Sequence, residues 1–75
     1  MKHFEITLFV CHSNFVFKCS TIHGAYEAIK DIKDYNYVDH INLDGYMHIL
    51  CDMEEGKLIQ HNNHIMRIEI KEGEV

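Results

Sequence analysis

The side chains with the most chemistry to offer are seven histidines and three cysteines in a chain of 75 residues. They are His3, His12, His23, His40, His48, His61 and His64, with Cys11, Cys19 and Cys51. Imidazole and thiolate are ready zinc ligands, and imidazole also titrates near neutral pH. A zinc centre is therefore the first chemistry to weigh. The spacings contain no Cys-x-x-Cys pair and no zinc-finger pattern. The strongest metal candidate is His61 and His64, which flank Asn62-Asn63, with Cys51 as a third ligand on the same sheet face. Zinc wants four ligands in a structural site, and this set falls short, so no cofactor is expected.

Nucleophilic catalysis is the second chemistry. Cys19 stands just before a helical pattern, where a helix N-terminus can lower a thiol pKa, and His23 is near enough in sequence to act as a base. No oxyanion donor, phosphate-binding glycine loop or paired-acid motif accompanies them. The chain is read as a non-enzyme.

The elements that would position these residues follow from periodicity. His3 to Val10 alternates, with Phe4, Ile6, Leu8 and Val10 on one side. Ser13 and Asn14 suit a turn, and Phe15 to Ser20 returns with Phe15, Phe17 and Cys19 inward. Ser20 or Thr21 suits an N-cap, and Ile22, Ala25, Ile29 and Ile32 form one face of a helix from about Thr21 to Asp34. The remainder reads as a meander. Its strands are Val38 to Leu43, Tyr46 to Met53, Lys57 to His61 and His64 to Lys71, joined at Asp44-Gly45, Glu54-Glu55-Gly56 and Asn62-Asn63. The expected fold is α+β: a ββα hairpin-helix, then an antiparallel β-meander, with one helix on one face of a twisted antiparallel sheet. Residues 1–75 make a single domain, and 72–75 are expected to form a flexible tail.

One helix covers one sheet face. The other face would carry Phe9, Val16, Leu50, Leu58 and Ile65 among charged residues, and an apolar patch of that kind marks an interface. The net charge of −5 disfavours direct contact with nucleic acid and suits a basic partner. Asp52, Glu54 and Glu55 are placed in an exposed hairpin as an acidic patch. Protonation of every histidine would move the charge from −5 to +2, so the sign changes just below neutral pH. No apolar run approaches the ~20 residues that span a bilayer, and the start shows no signal-peptide pattern. A cytoplasmic location is expected.

In size, acidity and lack of proline the chain resembles small proteins of phages and mobile elements, including anti-CRISPR and other host-inhibitor proteins. That resemblance implies a protein that covers a partner, and the acidic groups, as a mimic of phosphate charge, point to a basic nucleic-acid-handling protein. The leading expectation is thus a non-enzymatic protein-binding domain, possible also as a homodimer through its apolar sheet face. The alternative is a small His/Cys zinc domain.

Overall fold

A computed structural model describes residues 2–9, 14–35 and 41–73. The element order is β1 (Lys2–Phe9), β2 (Asn14–Cys19), α1 (Ile22–Tyr35), α2 (Leu43–Glu54), β3 (Gln60–Asn62) and β4 (Met66–Glu72). The strands form one antiparallel sheet in the order β2-β1-β4-β3, and both helices pack on one face of it. The α+β class, the antiparallel sheet and the opening ββα unit are as expected.

β1 is central because its alternation is the cleanest in the chain. Phe4, Ile6 and Leu8 are buried under the helices with Met66 and Ile68 of β4. From α1 come Ala25, Ile29 and Ile32. Thr21 caps that helix: its Oγ1 accepts from Gly24 N at 3.0 Å, and its carbonyl accepts from Ala25 N at 3.0 Å.

The second half departs from the expected meander. Residues 43–54 form a helix where a strand from Tyr46 to Met53 was expected. Two periodicities overlap here. Met47, Ile49, Cys51 and Met53 alternate, but Leu43, Tyr46, Leu50 and Met53 are spaced for a helix, and Tyr46, Leu50 and Met53 are the buried set. The ends decide between them. Asn42 Oδ1 accepts from Gly45 N at 3.1 Å, so Asp44-Gly45 lies in the first helical turn instead of a hairpin. At the other end Gly56 has φ +82°, Lys57 N donates to Asp52 O at 2.8 Å, and Gly56 N donates to Met53 O at 3.2 Å. That is a Schellman cap. Glycine at 56 does adopt the left-handed conformation read for it, but it ends a helix. The sheet face is therefore covered by two helices. Of the proposed 38–43 strand, residues 38–40 lie outside the described set, Ile41 is buried in the core, and Leu43 is helical.

The closing hairpin is present with a different turn. Asn62 pairs with Arg67 and His61 with Ile68, so the connection is longer than a two-residue Asn62-Asn63 loop. Asn63 holds it: Oδ1 accepts from Ile65 N at 2.8 Å and Met66 N at 3.0 Å, and Asn63 N donates to Met66 O at 3.1 Å. Glu72 pairs with Lys2 in the sheet, so residue 72 is not part of the expected tail; residues 74–75 lie outside the described set.

Candidate functional site

The register assigns each surface its residues. On the sheet face away from the helices, His3, Glu5, Thr7 and Phe9 of β1 stand between Asn14, Val16 and Lys18 of β2 and Arg67, Glu69 and Lys71 of β4. The face is laced by charge. Lys71 Nζ lies 3.4 Å from Glu5 Oε1, and Arg67 Nε lies 3.2 Å from Glu69 Oε1. The Arg67 guanidinium also sits 5.8 Å from the centre of the Phe9 ring, a cation–π contact. His3 is buried among these groups with Glu5 Oε2 4.0 Å from its Nε2, and neither ring nitrogen has a hydrogen-bond partner.

The expected apolar outer face is thus not assembled. Of its residues, Phe9 and Val16 lie there, one half-buried and one exposed. Leu50 is 0% exposed in the core, because a helix turns it toward the sheet. Leu58 and Ile65 precede their strands and are partly buried against the same core. Leu50 in particular cannot touch a partner while the fold is intact.

Three of the four exposed large apolar residues among those described lie on β2 instead; the fourth, Ile59, is 73% exposed just before β3. Phe15 is 54% exposed, Val16 52% and Phe17 38%. β2 is an edge strand. Phe15 and Phe17 are on the helix side, opposite Leu8 and Ile6, and Val16 is on the open side, opposite Thr7. The two phenylalanines were read as core because alternation shows which face a residue takes, not whether a helix reaches that far across the sheet. Three consecutive large apolar residues, Phe15-Val16-Phe17, were the available signal of a strand apolar on both faces.

The histidine pair meets at a second place. His61 and His64 both line a cavity of about 280 Å³ with Ile41, Tyr46, Ile49 and Ile65, between the start of α2 and the last hairpin. His61 stacks edge-on to Tyr46, with ring centres 5.8 Å apart. The Tyr46 hydroxyl accepts from Asn63 Nδ2 at 2.8 Å. Cys51 is not among the lining residues, since it stands on a helix and not on the strand expected to carry it. Among the described residues no group of three or more His, Cys, Asp or Glu comes together. This arrangement offers two imidazoles toward one apolar cavity, short of a closed zinc site.

Cys19 stands just before α1 and is half-buried. Burial pushes its thiol pKa up, the reverse of the lowering expected from the start of α1. Asp52, Glu54 and Glu55 are exposed as expected, but at the C-terminal end of α2 instead of in a hairpin. Glu55 pairs with Lys57 at 3.1 Å, which offsets part of that patch.

Fold and surfaces together define a small α+β domain with a two-helix layer, a charge-laced open sheet face and an apolar edge strand. No family model, curated protein or solved structure matches the chain. No helix among the described residues is long and apolar enough to cross a membrane.

Proposed function

We propose that the chain is a small non-enzymatic protein-binding domain that acts by covering a partner surface, with β2 as its contact element. The observation that carries this reading is the exposure of Phe15, Val16 and Phe17 on an edge strand. An edge strand offers unpaired backbone groups, and native proteins usually blunt such edges with charge, proline or a bulge. β2 has one charge, Lys18, and no proline. Main-chain pairing would supply affinity and the flanking side chains specificity, as in strand-addition complexes. Phe9 borders the strip on the open face, at the level of Asn14.

The finer reading is an inhibitor of phage or mobile-element type, working in the cytoplasm on a basic, nucleic-acid-handling protein. Its support is the net charge of −5 and the acids Asp52, Glu54 and Glu55 at the end of α2. Charge of this kind would speed encounter more than it would tighten the complex.

The test is capture on immobilised chain from cell extract, comparing wild type with Val16→Lys. A stoichiometric protein held by wild type and released by the variant supports the reading. Equal capture by both baits, or no specific capture by either from an extract of cells that also make the chain, overturns it.

A further inference from the structure

The backbone of β2 shows which groups are free to pair. Phe9 N donates to Ile65 O at 2.9 Å, toward the β4 side. Backbone groups alternate sides along a strand, so His3, Glu5, Thr7 and Phe9 address β4, while Phe4, Ile6 and Leu8 address β2. Their partners there are Cys19, Phe17 and Phe15. The N–H and C=O of Asn14, Val16 and Lys18 therefore point off the edge of the sheet that the described residues form.

We propose that this edge pairs antiparallel with the same edge of a second copy, about a twofold axis at Val16, joining two sheets into one. The proposal rests on the protein-binding reading above and names the occupant of its surface. Three features select a second copy. First, the segment Asn14-Phe15-Val16-Phe17-Lys18 is nearly palindromic in residue type. Antiparallel pairing centred on Val16 sets Val16 against its counterpart and Phe15 against the partner's Phe17. Asn14 then meets the partner's Lys18, and every outward backbone group meets an outward backbone group. Second, charge selects the direction. Residues 14–19 contain no acid, and Lys18 already stands opposite Glu5 within its own sheet. A parallel pairing would set two lysines side by side, whereas the antiparallel one sets each against an asparagine. Third, the opposite edge is less suited: β3 is three residues long, Gln60–Asn62, and polar, with a single exposed apolar residue, Ile59, ahead of it. A β2-to-β3 contact would also be heterologous and open-ended, whereas β2-to-β2 closes.

The contact is small. A phenylalanine side chain buries about 150–250 Å² in full, so the exposed parts of Phe15 and Phe17 amount to roughly 200 Å² per copy. Even with Val16 and the backbone added, this stays at the low end of interface sizes, below about 1,200 Å² in total. The dimer is therefore concentration-dependent, and its formation is best followed from micromolar to millimolar chain.

Light scattering after size exclusion over that range tests it. Wild type moves from 8.9 kDa toward twice that mass as concentration rises. Val16→Pro deletes an outward N–H that β1 does not use, and proline is tolerated on an edge strand. That variant stays monomeric, with the circular dichroism spectrum of wild type as the check on its fold. A second pair of variants reads the register without touching the backbone. Asn14→Glu places a carboxylate against the partner's Lys18 twice per dimer and tightens the dimer about two- to tenfold; Asn14→Lys weakens it by a similar factor. Net charge by itself predicts the opposite order, since Asn14→Glu makes an acidic chain more acidic. A wild type that remains at 8.9 kDa at millimolar concentration overturns the proposal. So does dimerisation that neither variant of Asn14 nor Val16→Pro alters. A monomeric wild type that nevertheless captures a protein lost with Val16→Lys would leave the protein-binding reading standing with another chain in this position.

Discussion

Cys19 shows how position overrides residue type. A thiol ahead of a helix has the makings of a nucleophile, yet burial raises its pKa. The sign for stability follows. A free thiol ionises at about 8.5 in the unfolded chain. In the folded chain ionisation is harder, so the contribution is complete below that value and is lost as pH rises through the folded pKa. Wild type should lose melting temperature between pH 8 and pH 10 faster than Cys19→Ala does, as followed by circular dichroism; parallel curves would contradict this. Asn63 is the opposite case, a turn residue whose weight is structural. Its side chain serves Ile65 N, Met66 N and the Tyr46 hydroxyl together. Asn63→Ala strands two partly buried amides and should cost about 2–3 kcal/mol in urea unfolding, while Asn63→Asp keeps both acceptor bonds and should cost about 1 kcal/mol. Equal losses would mean that the turn bonds contribute little. The candidate metal residues part at this scale: His61 and His64 line one apolar cavity, and Cys51 does not line it.

At the scale of elements, α2 governs what the rest of the fold presents. As a helix it turns Leu50 to the core and leaves Met47 half-buried; as a strand it would have put Met47 and Leu50 on opposite faces, with Met47 inward. Truncation distinguishes the two. Leu50→Ala should cost about 2–5 kcal/mol, the range for emptying a fully buried leucine, and Met47→Ala clearly less; the reverse order in denaturant titrations would contradict the helix. The first half of the chain was legible because its periods are unmixed: Phe4, Ile6 and Leu8 alternate, and Ala25, Ile29 and Ile32 step by helical turns. Over 43–54 both periods are present, and the deciding information lies in the caps. Asn42 before Leu43 and Gly56 after Glu54 were visible, but Asp-Gly and Glu-Glu-Gly have the same composition as hairpin turns. That one element shifted Leu50 and Cys51 away from the contact and metal roles read for them. The exposure of β2 was illegible for a different reason. It depends on strand order, β2-β1-β4-β3, and no local pattern in Phe15 to Cys19 shows that the strand lies at an edge.

On the scale of the whole molecule, charge and the β2 edge act against each other. The chain measures about 31 × 25 × 18 Å, so two copies joined at an edge have centres roughly 25 Å apart. Two bodies of charge −5 at that distance repel by about 4 kcal/mol in unscreened water. At 0.01 M salt, with a screening length of about 30 Å, a little under half of this persists; near 1 M, with about 3 Å, none does. Salt should therefore tighten self-association by on the order of tenfold across that range, since the contact strip itself carries no acid. Binding to a basic partner through Asp52, Glu54 and Glu55 would respond in the other direction, weakening as salt rises. Sedimentation at low and high salt, of the chain alone and of the chain mixed with a captured partner, thus separates the two occupants by sign. A self-association that weakens as salt rises would place the acidic surfaces, and not β2, at the contact.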